Sequence, residues 1–432
     1  MKILLVTHTW TPEDGVPQRR WAWLVKVLQT KGASVEVITS AEPPKQGEAQ
    51  VGAVQSLGST GKARWVQGAF GEMVCRPKRY RLGESITARA VGQALDCFAK
   101  IKAAASIYVR QDHQKPDVVI GTVPALSTAL STVAIAKMIS RPYILDLRDA
   151  WPDLLRISDK WNNSVGTPSL REKFLTRAPF KMALSVVAEG FWLIVVKSKG
   201  VIVTSEAHKT HLLQQLENRS KGLVPKVVVV RNVFASNTLV ARGEGYEGSD
   251  GSLRVLYAGT VGRAQNIQNA IQAVALAKKR GLNIHLRIIG NGAAWGACVK
   301  LAQQLDLPNV EFIPRIPPQD IEKHYEWADT ALVHLTDWEP LALAIPSKTY
   351  ELMNSGVPIT AVGHGALPAL VQTYSAGVTV PPNSPTDLAD TWIEFSDKKE
   401  NIQGSNTWDS GQVQQLAEER LVTLIDHVLG SK

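Results

Sequence analysis

Residues 344–358 read A-I-P-S-K-T-Y-E-L-M-N-S-G-V-P and lead into a short apolar run. A proline followed by Ser347 favours the start of a helix, Gly356 favours its end, and Pro358 prevents its continuation. The stretch therefore predicts a loop, a short helix, a tight turn and a buried strand. The start of such a helix presents free N–H groups and the positive end of the helix dipole, and Lys348 adds a full charge there. This combination predicts an anion site.

Glu351 follows the predicted anion site by one helical turn. It lies on the same side of the helix as Ser347 and Lys348, where its carboxylate can accept hydrogen bonds from a sugar diol. The alternative interpretation is a capped surface helix with an exposed lysine and an exposed glutamate.

This stretch resembles the nucleotide-sugar binding motif of retaining family 4 glycosyltransferases, in which a proline-serine-lysine group is followed by a glutamate and a Gly-x-Pro turn. The resemblance implies that Ser347 and Glu351 bind a nucleotide-sugar donor and that Lys348 acts on its diphosphate. Many members carry a second glutamate eight residues before the first, and Leu343 stands at that position here. Glu351 therefore matches the family's contact to the ribose, whereas Leu343 departs from the family's contact to the transferred sugar.

The composition is that of a globular protein. Of 432 residues, 44% are hydrophobic and 20% are charged, which allows two cores of about 200 residues each. The three scattered cysteines exclude a disulfide framework and fit a reducing compartment. The start, M-K-I-L-L-V-T-H, predicts a first strand rather than a signal peptide, and no apolar run reaches the roughly 18 residues of a membrane span. We expect a cytoplasmic protein.

The net charge of +9 is unevenly distributed. Residues 1–245 carry 34 Lys and Arg against 19 Asp and Glu, whereas residues 246–432 carry 14 against 20. Basic residues flank an apolar stretch that contains Phe191, Trp192 and Leu193, a pattern that favours docking on an anionic membrane at the inner face of the plasma membrane. A buried helix with a solvated basic edge is the alternative. The flanking residues are Arg171, Lys173, Arg177, Lys181, Lys197 and Lys199.

Short β-branched runs alternate with helical stretches along the whole chain, which predicts an α/β protein with parallel strands. A Gly/Ser/Asp-rich stretch at 243–252 interrupts this alternation of strands and helices, and a second series of strands follows it. We predict two Rossmann-like domains, 1–245 and 246–405, and an amphipathic C-terminal segment, 406–432, that packs back on the first domain. The predicted strands are Lys2–Thr7, Val35–Thr39, Val118–Gly121, Tyr143–Leu147, Val201–Thr204, Val227–Val230, Leu253–Ala258, Ile284–Ile289, Val310–Ile313, Thr330–His334 and Ile359–Val362.

In the first domain, a loop that contains Gly15 separates the first strand from a helix. A glycine there lets the backbone approach a ligand at the carboxyl edge of the sheet, although a single loop glycine is weak evidence. The family resemblance implies that this loop contacts the donor's phosphate and sugar, with Arg19 nearby, and we assign Arg19 to acceptor binding.

A second motif in this domain is I-L-D-L-R-D-A-W-P-D at 144–153. Asp146, Arg148 and Asp149 stand at the carboxyl end of a strand, where they can orient a sugar acceptor, with Asp149 favoured as the group that polarises an acceptor hydroxyl. The alternative is an Asp–Arg pair that only fixes the loop. The string R-D-x-W-P-D resembles the WbuB-like branch of family 4 enzymes, which build bacterial surface polysaccharides.

The second domain has two glycine-bearing loops after strands. In the first, Gly262, Arg263 and Gln265 precede a helix, an arrangement suited to a diphosphate. Arg263 and Lys348 are the candidate cations, because the family's usual Arg and Lys positions are Thr260 and Gln265 here. The second loop begins with a G-x-G at Gly290, which we assign to backbone next to the nucleotide because the third glycine of a dinucleotide fingerprint is misplaced.

These features together predict a GT-B fold, in which two Rossmann-like domains face each other across a cleft and the last helix crosses back to the first domain. The predicted activity is transfer of a hexose or N-acetylhexosamine-type sugar from a nucleotide diphosphate donor, UDP favoured over GDP, to a glycan or lipid-linked acceptor. The family resemblance alone implies retention of configuration. Asp149, Arg263 and Lys348 are the candidate catalytic residues.

No metal or other cofactor is expected, because no His or carboxylate pair has ligand spacing and a positive helix end can stabilise a departing diphosphate. One alternative function is a GT-B-fold epimerase of UDP-sugars, which would need further acid–base residues. Another is a basic nucleic-acid-binding protein, although the sequence lacks the aromatic-basic interleaving of such proteins.

Overall fold

The computed structural model describes residues 1–13, 15–40, 65–80, 82, 86–111, 113–123, 126–157, 178–220, 222, 224–233, 252–397 and 407–430. The chain divides into two compact units. The first unit comprises Met1–Pro152, Val187–Asn232 and Gln414–Lys432, and the second comprises Asp153–Val186 and Val233–Val413.

The first unit is built on an eight-stranded sheet within the described residues. Its order is β3-β4-β2-β1-β5-β6-β7-β8, and every pair of neighbours is parallel except β3 and β4. The strands are β1 (Lys2–Val6), β2 (Ser34–Ile38), β3 (Val66–Gln67), β4 (Met73–Cys75), β5 (Val118–Val123), β6 (Tyr143–Leu147), β7 (Gly200–Val203) and β8 (Lys226–Val229).

The second unit contains a six-stranded parallel sheet in the part of the chain that is described. Its order, β11-β10-β9-β12-β13-β14, is that of a doubly wound fold. The winding direction reverses between β9 and β12, and ligands bind outside the carboxyl ends of strands at such a point. The strands are β9 (Leu253–Thr260), β10 (Ile284–Asn291), β11 (Val310–Pro314), β12 (Thr330–His334), β13 (Ile359–Val362) and β14 (Gly377–Val380).

The described α-helices connect and cover these strands. In chain order they are α1 (Val16–Thr30), α2 (Ile86–Ala105), α3 (Leu126–Met138), α4 (Asp153–Arg156), α5 (Ala178–Val196), α6 (Glu206–Arg219), α7 (Ile267–Lys279), α8 (Trp295–Gln304), α9 (Glu322–Trp327), α10 (Ser347–Asn354), α11 (Ala366–Thr373), α12 (Pro385–Asp397) and α13 (Ser410–Gly430). Three 3₁₀ turns, Arg263–Gln265, Pro318–Asp320 and Glu339–Leu343, lie in the second unit.

Both faces of the first sheet are buried, which explains why its strands read as continuous apolar runs. Ile3 and Leu5 of β1 belong to one core cluster with residues of α1 and α13, whereas Leu4 and Val6 belong to the opposite cluster with residues of α2, α3, α5 and α6. The C-terminal helix α13 therefore packs on the first unit, as the sequence predicts. Its Leu424 lies so close to Gly200 that a Cβ there would stand 2.7 Å from a leucine methyl carbon.

The carboxyl ends of β9 and β10 approach each other closely in the second unit. Gly290 is paired with Gly259 in the strand register, and a Cβ on Gly290 would overlap the Gly259 carbonyl oxygen. Gly290 also has a φ of +151°, which L side chains rarely adopt. A Cβ on Gly292 would likewise overlap the carbonyl of Val261. The G-x-G motif is thus required by the packing of two strand ends.

We expect Gly290→Ala to destabilise the second unit by about 3 kcal/mol or more, because it adds a steric overlap to a backbone conformation that only glycine accepts. Urea denaturation followed by fluorescence measures this loss. Gly296→Ala is the matched control, since Gly296 lies in α8 with open space around its Cα. Alanine there should stabilise by up to about 1 kcal/mol. Equal effects of the two substitutions would contradict the packing argument.

Candidate functional site

Helix α10 begins and ends where the sequence predicts. Pro346 is its N-cap residue and Ser347 its first residue. Gly356 follows the helix with a φ of +68°, and its N–H donates to the carbonyl of Met353. The helix packs against β12 and β13. Ser347 and Lys348 are the first two residues of the helix, and Glu351 follows one turn later. All three are half-buried.

The ammonium group of Lys348 is buried in the second unit. Its Nζ lies 3.7 Å from the centroid of the Tyr257 ring and makes no hydrogen bond to the described residues. A Cβ on Gly259 would stand 3.1 Å from the same atom, so Lys348 lies against the carboxyl end of β9. Burial lowers the pKa of Lys348 to about 7, and the Glu351 carboxylate opposes that shift. The Lys348 Nζ therefore has an aromatic face beneath it and no counter-ion bonded to it among the described residues.

Tyr257 is a residue of this site that the sequence analysis missed. Its ring lies beneath Lys348, and its hydroxyl donates to the carbonyl of Thr260 at the end of β9. The residue is fully buried, which raises the pKa of its hydroxyl. Tyr257 thus fixes both the strand end and the lysine. A tyrosine within an otherwise aliphatic strand, two residues before a glycine, was the available signal.

The loop after β9 carries the other predicted donor-binding residues. Gly262 caps the 3₁₀ turn that contains half-buried Arg263 and Gln265. The Thr336 N–H, beyond the end of β12, donates to the carbonyl of Ala264 at 2.8 Å. This bond joins the loops that follow β9 and β12, the two strands that flank the reversal of the sheet. The predicted residues therefore lie at the edge where a doubly wound sheet binds ligands.

A third loop is attached to the same edge. Asn383, which follows β14, accepts hydrogen bonds at its Oδ1 from Asn266 at 2.9 Å and from Thr336 at 3.2 Å. Asn266 and Asn383 both have positive φ angles, of 38° and 58°, which asparagine tolerates better than most residues. Hydrogen bonds between side chains thus hold the rim of the site together.

In the first unit, Asp146 is fully buried and both its oxygens are used. Arg20, itself 0% exposed, donates to Oδ1 at 3.0 Å, and the indole of Trp21 donates to Oδ2 at 2.7 Å. Arg20 also donates to the carbonyl of Val230 and the side chain of Asn232, each at 2.8 Å. The assignment of Asp146 to acceptor binding is therefore corrected, since the geometry gives it a structural role. The sequence analysis chose Arg19, which is half-buried, instead of its neighbour Arg20.

Arg148 and Asp149 lie in the turn after β6. Burial lowers the pKa of Arg148, against the effect of the two neighbouring carboxylates, and its Nε and Nη1 make no hydrogen bond to the described residues. Desolvation raises the pKa of Asp149, while the Arg148 guanidinium lowers it. Asp149 is nonetheless exposed at the surface, and solvent limits that shift. The pair can therefore reach a ligand, unlike Asp146.

Gly15 is the N-cap residue of α1, with an extended backbone at a φ of −176°. Any residue can adopt that conformation, and a Cβ there would come within 3 Å only of the flexible Gln18 side-chain oxygen. The local structure therefore does not require a glycine at this position. Contact between Gly15 and a ligand remains a prediction.

The structure corrects part of the predicted membrane segment. Phe191 and Trp192 are 3% and 2% exposed and belong to the core of the first unit, so they are not available for insertion into lipid. Leu193 is 60% exposed. Arg171, Lys173 and Arg177 lie outside the described residues. A search of the described helices finds none that is both long and apolar enough to span a membrane.

Residues 246–404 match the family model of glycosyl transferases group 1. The match covers the second unit's sheet and includes the loop after β9 and helix α10. It supports the prediction of a transferase enzyme.

Curated relatives match over shorter stretches. The probable glycosyltransferase WbjE of Pseudomonas aeruginosa is 32% identical over 133 residues, which are 30% of this chain and 32% of that protein. The putative colanic acid biosynthesis glycosyltransferase WcaL of Salmonella typhimurium is 30% identical over 129 residues, 29% of this chain and 32% of that protein. The matches thus span about a third of the length of these relatives.

Solved structures match over the whole chain and confirm the GT-B fold. Sucrose-phosphate synthase from Thermosynechococcus elongatus superposes with a TM-score of 0.61 at 14% identity, covering 100% of this chain and 97% of that one. Anabaena HepE in complex with UDP and glucose superposes with a TM-score of 0.58 at 16% identity, covering 100% of both chains.

The Arg20–Asp146 pair gives a test of the corrected assignment. We expect Arg20→Met to destabilise the first unit by about 3–5 kcal/mol, because it leaves Asp146 as an uncompensated buried charge. Arg19→Met, at the half-buried neighbouring position, should cost no more than about 1 kcal/mol. Chemical denaturation compares the two variants. If Arg19→Met proved the more damaging, Arg20 would not be the structural partner of Asp146.

Proposed function

We propose that this protein transfers a hexose or N-acetylhexosamine-type sugar from a nucleotide diphosphate sugar, UDP favoured, to a glycan or lipid-linked acceptor. The observation that carries the proposal is the buried ammonium of Lys348, which lies against the carboxyl end of β9 and has no bonded counter-ion in the part of the chain that the structure describes. It stands inside the region that matches glycosyl transferases group 1. A diphosphate is the anion that such a donor would bring to it.

The geometry of the second unit supports this choice of donor. The start of α10 offers free N–H groups and a positive dipole end next to Lys348. Glu351, one turn further on, can accept hydrogen bonds from a ribose diol. The structural neighbour HepE has been solved with UDP and with UDP-glucose, which makes UDP the first nucleotide to test.

In the proposed reaction, the bond between the anomeric carbon and the diphosphate oxygen breaks, and the nucleoside diphosphate leaves with the electron pair. Lys348, Arg263 and the helix dipole would stabilise the negative charge that develops on the leaving group. The acceptor oxygen forms the new bond, and Asp149 is proposed to polarise its hydroxyl. Desolvation raises the pKa of Asp149, which makes its carboxylate a better proton acceptor than an ordinary aspartate. Retention of configuration is proposed from the family resemblance.

The proposed process is the synthesis of cell-surface polysaccharide, by likeness to WbjE and to WcaL, which is named for colanic acid biosynthesis. We propose the cytoplasmic face of the plasma membrane as the place of action, since lipid-linked acceptors reside in membranes. The excess of positive charge in residues 1–245 would favour an anionic surface.

Binding of UDP should take up a proton at pH 8. Lys348 has a pKa of about 7 in the free protein and is mostly neutral at pH 8, whereas a bound diphosphate favours its charged form. We expect uptake approaching one proton, and an affinity that falls as the pH rises above 7. Titration calorimetry in buffers of different ionisation enthalpy measures this uptake.

Lys348→Met should abolish the proton uptake and weaken UDP binding roughly ten- to a hundredfold, which corresponds to about 1.5–3 kcal/mol for a lost charge-assisted contact. Glu351→Gln should weaken binding without removing the uptake. Lys279→Met, at an exposed lysine of the same unit, is the matched control. Unchanged UDP affinity in both site variants would refute the proposed donor site.

We also expect activity to survive EDTA. The described residues contain no group of three or more His, Cys, Asp or Glu side chains arranged to hold a metal ion. The measurement is release of UDP from UDP-sugars with and without chelator. Loss of activity that magnesium or manganese restores would point to a carboxylate site, with Asp337 and Glu339 as the first candidates.

A further inference from the structure

The outer face of helix α2 carries apolar side chains. Val91, Leu95 and Phe98 follow one another at intervals of four and three residues, which places them on one side of the helix. All three are exposed, and Phe98 is 68% exposed. A surface helix of a globular protein usually turns such residues towards the core. This stripe of α2 therefore departs from the usual pattern.

The inner face of α2 is polar over the same length. Gly92, Asp96 and Lys100 recur every four residues and are buried. The Tyr80 N–H donates to Asp96 at 2.8 Å, and a Cβ on Gly92 would stand 2.7 Å from the Tyr80 carbonyl oxygen. These contacts show that the segment after β4 covers the polar side of the helix. The packing of α2 thus directs its larger apolar side chains to the outside.

Helix α3 packs beside α2 and has a similar distribution. Thr128, Ser131 and Thr132 are fully buried, and the hydroxyls of Ser131 and Thr132 donate to the carbonyl of Thr128. Such local bonds satisfy hydroxyl groups inside a protein. Leu130, on the outer side of the helix, is 54% exposed. Two neighbouring helices thus bury small polar residues while they expose valine, leucine and phenylalanine side chains.

Helix α5 contributes to the same outer surface. Residues of α2, α3 and α5 belong to the core cluster on one side of the first sheet, so the outer sides of these helices belong to one layer of the fold. In the part of α5 that belongs to the first unit, Val187 and Leu193 are exposed. We refer to the exposed apolar residues of the three helices as the apolar face. Its members are Val91, Leu95, Phe98, Leu130, Val187 and Leu193.

Basic residues border the apolar face at one end. Helices α2, α3 and α5 precede the parallel strands β5, β6 and β7, so all three run in the same direction and end at the same edge of the sheet. Lys102 and Lys137 lie in the last turns of α2 and α3, and Lys197 directly follows α5. All three are exposed, and we refer to them as the basic row. Glu189 is the one exposed carboxylate among the described side chains of these helices, and it is paired with Arg219 at 2.6 Å.

An anionic lipid surface is the partner that fits this arrangement. Exposed apolar patches of soluble proteins mark sites of protein or membrane interaction. At a bilayer surface, apolar side chains enter the boundary between headgroups and acyl chains, and lysines bind the lipid phosphates. A second copy of this chain would instead bring its own basic row and a carboxylate that is already paired, so its charge would not complement this surface.

We propose that the apolar face docks the first unit on an anionic lipid bilayer, with the basic row in contact with lipid phosphates. The inference rests on the proposed function, since it names the surface that would bring the enzyme to an acceptor held in a membrane. It differs from the docking segment that the sequence predicts. Phe191 and Trp192 of that segment are core residues, whereas Leu95 and Phe98 of α2 are exposed.

The test is co-sedimentation of the full chain with vesicles of phosphatidylcholine alone and of an equal mixture of phosphatidylcholine and phosphatidylglycerol. Wild-type protein should bind the mixed vesicles at least about tenfold more strongly, and high salt should release it. Leu95→Ser combined with Phe98→Ser should weaken binding to the mixed vesicles about tenfold or more, because two side chains that enter the bilayer are lost. Lys102→Glu should weaken this binding several-fold, because it reverses a charge that faces the lipid phosphates.

Each of these variants has a matched control. Leu416→Ser replaces an exposed leucine of α13, which covers the opposite face of the first sheet. Lys31→Glu reverses an exposed lysine at the end of α1, on that same opposite face. Both controls should bind vesicles as the wild type does. The unfolding temperature and the affinity for UDP should remain those of the wild type in every variant, which would confirm that all of them are folded.

The proposal is overturned if wild-type protein sediments equally with both kinds of vesicle, or if the variant with both Leu95→Ser and Phe98→Ser binds as well as Leu416→Ser does. A dimer in analytical ultracentrifugation that Leu95→Ser and Phe98→Ser dissociate would also overturn it, because the apolar face would then belong to a contact between two copies. Absence of UDP binding to the wild type is a separate result. It would refute the proposed function, and the vesicle measurements would still decide whether this surface docks on lipid.

Discussion

The ion pair between Arg20 and Asp146 is the interaction on which the first unit depends. It joins α1 to the end of β6, and through the carbonyl of Val230 it also reaches the residue that follows β8. Both partners are completely buried, which is acceptable only because every charged oxygen and several guanidinium N–H groups are bonded. The pair fixes the strand end from which Arg148 and Asp149 project. The exposed Asp149 in that turn therefore depends on a buried ion pair that holds the end of β6 in place.

Lys348 and Lys100 show the opposite arrangement. Each is a buried ammonium whose pKa is lowered by burial, and neither makes a hydrogen bond to the described residues. Lys348 also lies at the carboxyl edge of its sheet, where doubly wound folds bind ligands. Arg20, in contrast, is a buried cation that is paired with a buried carboxylate of the same unit. In the proposed function, the anion that meets Lys348 is the diphosphate of the donor.

Much of the fold could be predicted from hydrophobic patterning. The strands Tyr143–Leu147, Thr330–His334 and Ile359–Val362 have the predicted bounds, because every residue of each is buried and each reads as a short, mostly apolar run. The short strands β4 and β14 were missed. Met73–Cys75 offers three residues and no alternation, and Gly377–Val380 begins with a glycine, so neither carries a clear periodic signal.

Fewer of the site residues could be predicted, because their roles depend on which way a side chain faces and on partners far away in the sequence. Local signals of helix start and end located Ser347 and Gly356, since those depend on backbone chemistry alone. The choice between Arg19 and Arg20 depends on which of two adjacent side chains faces the sheet, and the partner Asp146 is more than a hundred residues away. Trp192 was misjudged for the same reason, because basic flanks do not reveal that its ring is packed in a core.

In the second unit, some residues hold the strand ends together and others position Lys348. Gly290 and Gly292 let two strand ends approach, and this close packing holds the loop after β9 against its neighbour. Tyr257 then ties that strand end to Lys348 through a hydroxyl and an aromatic face. The lysine is thus held in place before any anion arrives. A preorganised cation loses less conformational entropy on binding than a mobile surface lysine would, which gives the buried position an advantage despite its desolvation.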